Sequence, residues 1–199
     1  MSPEQLTSLG IDADKWYKPL LDTFVKYGIS TTKRQAAFLG QCMHESNNFK
    51  TLEENLYYSA NALMRVWPSR FPDHDTADKY ANNPEKIANK VYAGRMGNTE
   101  EGDGFKFRGR GVIQLTGKDA YLFCGSALGI DTITNPDIIL TPQYACLSAG
   151  WFWNRKQLNT FSDSSDYKEI TRRINGGMNG YNERIAKISL AQKALDTYV

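Results

Sequence analysis

Apolar residues return every three or four positions through most of this chain, and residues that start or stop helices bound each run. That pattern commits the chain to a mainly α fold. Trp16, Leu20, Phe24 and Tyr27 form one face of a helix that ends at Gly28. Thr31 or Thr32 caps a second face of Ala36, Leu39, Cys42 and Met43, which runs out at the turn-favouring Ser46-Asn47-Asn48. Ser59 caps a short helix stopped by Pro68, and Pro84 opens one that carries Ile87, Val91 and Tyr92 and ends at Gly94. Lys118 to Leu128 is closed by Gly129, and Thr141-Pro142 opens a run with Ala145, Ala149 and Trp153. Tyr167, Ile170, Thr171 and Ile174 make a further face, and after Asn175 to Gly180 a last helix runs on Tyr181, Ile185, Ile188 and Leu195. Residues 94–111 differ: they hold six glycines and the alternation Phe105-Lys106-Phe107-Arg108, which predicts an extended loop or small β-hairpin before Val112 to Leu115. With no repeat, linker or low-complexity tract, residues 1–199 are expected to form a single domain.

Composition excludes several classes. No apolar stretch approaches the roughly 18 to 20 residues of a bilayer span, so no stable membrane insertion is expected. The N-terminal Met1-Ser2-Pro3-Glu4-Gln5 has neither the basic start nor the apolar stretch of a secretory signal, which points to a chain held in a cytoplasm until something releases it. Lys and Arg number 24 against 22 Asp and Glu, a net charge of +2 that does not mark a polyanion binder. Cys42, Cys124 and Cys146 are scattered among apolar or small neighbours, as buried reduced thiols are. His44 and His74, with no CxxC or HxxxH spacing, offer no dedicated metal site, and no cofactor is expected.

The residues with the most chemical content are Glu45, in Met43-His44-Glu45-Ser46, and Glu54, nine positions on. On one continuous helix that separation is a rotation of about 900° and a rise of about 13.5 Å, which puts the side chains on opposite faces. The turn formers after Glu45 end the helix there, and a chain that doubles back can bring Glu54 opposite. Two carboxyls about 6.5 to 9.5 Å apart suit inverting hydrolysis of a glycosidic bond. At the C-terminal end of an apolar helix, Glu45 is expected to hold its proton and act as general acid. Glu54, in a polar stretch with Glu53, Asn55, Tyr57, Tyr58 and Ser59, is expected to stay charged and act as general base. Charge and spacing alone are also met by a hydrogen-bonding helix end followed by a solvated loop.

Five motifs decide between these readings. They are Met43 to Ser46, Glu54 to Ser59, Val91 to Asn98, Gly102-Asp103-Gly104 with Arg108 to Thr116, and Arg172 to Gly177. Together, and in this order, they resemble glycoside hydrolase family 19, most closely its phage and bacterial cell-wall-lysing branch, over residues of about 30–190. Residues 1–29 then form an N-terminal helical part of the same domain. The resemblance implies a lysozyme-like, two-lobed helical fold with a small β element beside a cleft, and hydrolysis with inversion. It carries the general acid onto Glu45 and the general base onto Glu54, and gives Thr116 a hydroxyl that helps hold the attacking water. Gln114 and Asn175 match sugar-binding positions, Arg184 an arginine that supports the base, and Glu53 no catalytic position. Tyr57 stands where such endolysins often have Asn, and Ala120 and Asn179 where plant chitinases of the family have Asn and Glu. Those departures favour peptidoglycan over chitin. The enzyme so implied would be a monomer that reaches the wall once the membrane is permeabilised; a chitinase and a non-catalytic glycan-binding module are the alternatives.

The remaining features are assigned by the same weighing. The arginine-bearing Gly94 to Gly111 segment also holds Glu100, Glu101 and Asp103, so it reads as a cleft wall and not a nucleic-acid element. Its glycines let backbone approach a sugar chain, with Phe105, Phe107 and Tyr92 available to stack on pyranose faces. Trp151, Phe152 and Trp153 read as packing residues, His44 as a structural histidine or a group that tunes Glu45, and the last helix, with Arg184, Lys187 and Lys193, as docked with one solvated face.

Overall fold

The computed structural model describes residues 1–197. Its helices in chain order are α1 (Pro3–Ser8), α2 (Ala13–Tyr27), α3 (Thr32–Glu45), α4 (Ala60–Val66), α5 (His74–Asp78) and α6 (Pro84–Val91). They continue with α7 (Asp103–Lys106), α8 (Lys118–Leu128), α9 (Pro142–Arg155), α10 (Leu158–Asp163), α11 (Tyr167–Asn175) and α12 (Tyr181–Asp196). The expected caps form: Thr31 Oγ1 accepts from Arg34 N at 3.2 Å and Ser59 Oγ from Ala62 N at 3.2 Å. Gly28 and Gly129 close α2 and α8 at φ 62° and 68°, where a side chain would be strained. No helix among the described residues is long and apolar enough to cross a membrane.

The β element is smaller than expected. Among the described residues it consists of the isolated antiparallel bridges Glu53–Arg110 and Arg110–Leu115. In place of an extended Phe105 to Arg108, the chain makes the helical turn α7. Gly104 approaches α6 so closely that a Cβ would lie 2.5 Å from Ala88 O. Phe105 N donates to Asn89 Oδ1 at 2.8 Å, and the buried Asp103 pairs with Lys118 at 3.1 Å. These long-range contacts outweigh the local alternation.

The chain divides into two compact units. The first comprises Met1–Leu52, Gly111–Gln114 and the chain from Ile138 onward; the second comprises Glu53–Arg110 and Leu115–Asp137. In the first unit α3 packs against α12, and α2 against α9. Its core includes Trp16, Leu20, Phe24, Leu39 and Trp153, buried as their periodicity requires, together with Phe38. Phe38 meets Phe24 and Trp153 edge-on at centroid distances of 5.6 and 5.2 Å, contacts worth about 0.5–1.5 kcal/mol each beyond area burial. Gly40 lets α3 close onto α12: a Cβ there would sit 2.6 Å from the Ile188 backbone nitrogen. That close approach fixes the later part of α3 against the middle of α12. Cys42 and Cys146 are buried free thiols in this core.

The second unit gathers Leu56, Leu63, Phe71, Ile87, Ala88 and Val91 into its own core. Beside it the buried Arg110 donates through Nη1 to Lys106 O at 2.8 Å and Tyr121 Oη at 2.9 Å, and pairs with Asp137 at 2.9 Å. Tyr121 in turn donates to Arg108 O at 2.6 Å. A buried guanidinium engaged this way through Nη1 and Nη2, with Nε left unpaired, holds the 106–110 segment in one conformation. Cys124, also a free thiol, is buried in this unit.

Candidate active site

Glu45 is the last residue of α3, as the turn signals predict. Ser46 Oγ donates to Cys42 O at 2.6 Å and accepts from Phe49 N at 2.8 Å, closing the helix. Asn47, Asn48 and Phe49 then take φ values of 48°, 55° and 64°. Asn tolerates the left-handed region; Phe49 is held in it by burial against Trp16, 5.1 Å between ring centroids.

The partner of Glu45 comes from α12. Arg184 Nη2 lies 2.6 Å from Glu45 Oε1, with the arginine side chain 2% and the glutamate 24% exposed. The contact is ionic and falls short of hydrogen-bond geometry at that oxygen. Arg184 Nη1 donates to Gln41 Oε1 at 2.7 Å and Nε to Asn179 O at 3.2 Å. Gln41 is one turn before Glu45 on the same face of α3. Arg184 therefore pairs with Glu45, where the family resemblance implies a support for Glu54.

The His44 imidazole occupies the space above Gly180, where a Cβ would meet Cε1 at 2.5 Å. Burial, then the Arg184 charge, push it below the ordinary histidine range. Among the described residues no hydrogen bond joins it to Glu45, so its visible role is packing. Gln114, in the Gly111–Gln114 turn, and Asn175, the last residue of α11, are both exposed and available to a ligand of the first unit.

Glu54 is built differently. Its backbone N donates to Gly109 O at 3.0 Å, and Gly109 N returns a bond to Glu54 Oε1 at 2.6 Å. Tyr92, which follows α6, donates its hydroxyl to Glu54 Oε2 at 2.9 Å. Each carboxylate oxygen thus accepts one bond, which holds the group in place. The donors are not those of the local polar stretch; they come from 38 and 55 residues away. Burial first, then the Glu54 charge, drive the Tyr92 phenol well above the ordinary tyrosine range, so it stays a donor at any working pH. Thr116 directly follows Leu115, whose backbone pairs with Arg110 at 2.8 and 3.1 Å, and Arg110 adjoins the Gly109 that holds Glu54. Its half-buried hydroxyl therefore belongs to a segment alongside that of the carboxylate.

Phe107 is corrected. It is 1% exposed and packs on Tyr121 at 5.3 Å, so it offers no face to a sugar. Tyr92 gains a second role, because its hydroxyl is committed to Glu54. Tyr92→Phe is expected to lower kcat about tenfold with KM nearly unchanged, the size of a hydrogen bond to a charged group. Steady-state kinetics on glycan strands check this; a raised KM with normal kcat would return Tyr92 to sugar stacking. Sequence reasoning missed Gln41 and Gly109. A lone amide on the apolar face of α3, one turn before Glu45, is a usable signal for Gln41; a backbone N–H such as that of Gly109 leaves none. Among the described residues no group of three His, Cys, Asp or Glu side chains is placed to hold a metal ion.

A helical protein with one carboxylate on a buried arginine and another on two fixed donors has the groups of an acid–base hydrolase. Residues 20–175 match the family model described as chitinase class I. A glycosyl hydrolase family 19 domain-containing protein of Haemophilus influenzae is 42% identical over 170 residues, 84% of this chain and 83% of that protein. Endochitinase 2 of Gossypium hirsutum is 29% identical over 180 residues, 78% of this chain but 54% of that protein. Among solved structures, chitinase C of Streptomyces griseus aligns with a TM-score of 0.66 at 24% identity, covering 98% of this chain and 76% of that one. A bacterial family 19 chitinase aligns with a TM-score of 0.66 at 20% identity, covering 99% and 95%. The chain belongs to glycoside hydrolase family 19: it is a glycosidase with that family's lysozyme-like helical fold.

Proposed function

We propose that this glycosidase is of the endolysin kind and hydrolyses β-1,4 bonds in the glycan strands of bacterial peptidoglycan, with inversion. Glu45 protonates the leaving glycosidic oxygen; Glu54, with Thr116, directs a water at the opposite face of the anomeric carbon. Inversion needs an acid that gives up its proton as the bond breaks and a charged base that accepts one from water. Gln114 and Asn175 bind the sugar. The proposed substrate puts the site of action at the cell wall, where the enzyme works as a monomer after the membrane is breached.

The observation that carries the substrate assignment is the environment of Arg184. At Asn179, where plant chitinases of the family carry Glu, Arg184 receives only a backbone carbonyl. The ion pair with Glu45 is then left without the second carboxylate of the chitinase network. The alternative of a chitinase draws on the cotton endochitinase likeness, and that of a non-catalytic glycan binder on the 32% identity to an inactive chitinase-like protein of Hevea brasiliensis. Purified sacculi and chitin digested in parallel separate the three. New reducing ends are expected from sacculi; products from chitin alone, or from neither, would overturn the endolysin reading. Mass spectrometry after borohydride reduction then shows whether muramic acid or glucosamine carries the new end.

A further inference from the structure

The second unit opens a pocket of ≈ 480 Å³ beside Glu54, with Glu53, Asn55, Tyr57, Phe105 and Arg108 among its walls. Among the described residues Arg108 is the one cation in its walls. The guanidinium lies over the Phe105 ring, 4.1 Å from the centroid, donates through Nε to Glu53 Oε1 at 2.6 Å and through Nη1 to Phe105 O at 3.0 Å. Two of its three nitrogens are thereby fixed. Nη2 has no protein partner among the described residues and is not sealed from solvent. Nearby, Asn55 spends its Oδ1 on Tyr57 N at 2.9 Å, which leaves its NH₂ group to donate, and Tyr57 is 71% exposed. The pocket thus offers a pre-oriented guanidinium edge, an amide and a phenol. The two acidic groups in its wall are already engaged, Glu53 by Arg108 and Glu54 by Gly109 and Tyr92.

We propose that this pocket is a specificity site for a carboxylate carried by the substrate, with Arg108 Nη2 as its anchor. A planar guanidinium held by stacking and by its other nitrogens meets a carboxylate with little further loss of freedom. The inference rests on the peptidoglycan reading. A sugar attacked by water at Glu54 presents its ring substituents to the surrounding wall. Chitin carries no acid there; muramic acid carries a lactyl group, either free or amide-linked to a stem peptide with carboxylates of its own.

Three substrates test it: intact glycan strands, strands stripped of stem peptides by an amidase, and stripped strands whose lactyl carboxyls are converted to methylamides. Wild-type enzyme is expected to lose about tenfold in kcat/KM on the methylamide strands relative to the better of the other two. Arg108→Gln is expected to lose about tenfold on whichever acidic strand the wild type prefers and to be indifferent to methylamidation. Loss on intact strands alone assigns the stem-peptide carboxylates, and loss on stripped strands alone the lactyl group. Arg108→Lys, which keeps the charge without the fork, is expected to fall between, and thermal unfolding confirms that each variant folds. Equal loss on all three strands would reduce Arg108 to a support for the pocket and overturn the proposal. Wild-type enzyme inactive on all three removes the peptidoglycan reading itself, a failure distinct from uniform loss in the variant.

Discussion

Glu45→Gln is expected to lower kcat about 10³-fold and leave the folded protein intact, because a positioned general acid contributes about 10²–10⁴-fold. Glutamine has the same shape and still presents an oxygen to Arg184 Nη2, 2.6 Å away in the wild-type contact. It has no acidic proton to give the leaving oxygen, and the ion pair becomes a neutral contact, so a loss of about 1–2 kcal/mol in stability accompanies the loss of the chemistry. Release of reducing ends from sacculi reads the rate, and thermal unfolding reads the fold. Binding to wall fragments should survive, which separates lost turnover from a lost site. An undiminished lysis rate in a folded Glu45→Gln protein would remove Glu45 as the acid and, with it, the roles assigned around it.

The end of α3 at Glu45 was legible in local sequence; what surrounds Glu45 and Glu54 was not. Ser46-Asn47-Asn48 announces the end of α3 because Ser caps the last carbonyls and Asn tolerates positive φ. Ser59, Asn83-Pro84 and Gly129 likewise mark helix ends through bonds that span three or four residues. Glu45 and Glu54 take their partners from far along the chain, Arg184 in one case and Tyr92 with Gly109 in the other. No window of sequence contains such a pair. The same limit explains the errors between residues 94 and 111. Alternation puts Phe105 and Phe107 together on one face of a strand, but Gly104 seats α7 on α6, and Phe107 is drawn under Tyr121. Arg184 was matched by resemblance to a support for Glu54, and its ion pair is with Glu45. Its placement depends on how α12 starts, at Gly180 beside His44, and nothing near residue 184 specifies that.

Arg184→Leu is expected to cost about 3 kcal/mol of stability, since truncating one partner of a buried charge pair strands the other. Leucine fills part of the guanidinium volume but strands three acceptors at once: Glu45 Oε1, Gln41 Oε1 and Asn179 O. For a chain of this length that corresponds to a fall in Tm of roughly 10 °C. The lower end of the range for buried pairs applies because Glu45 keeps 24% of its side chain in solvent. A double-mutant cycle isolates the charge. In the Glu45→Gln background the stranded group is a neutral amide, so Arg184→Leu should cost about 1–2 kcal/mol less than in the wild type. Denaturant unfolding of the wild type, both single variants and the double variant gives that coupling directly. Strict additivity would mean that the arginine is held by Gln41 and the Asn179 carbonyl alone. Arg184→Leu should also lower kcat in protein that remains folded, because the end of α3 would still stop at Ser46 while the acid lost the group that aims it.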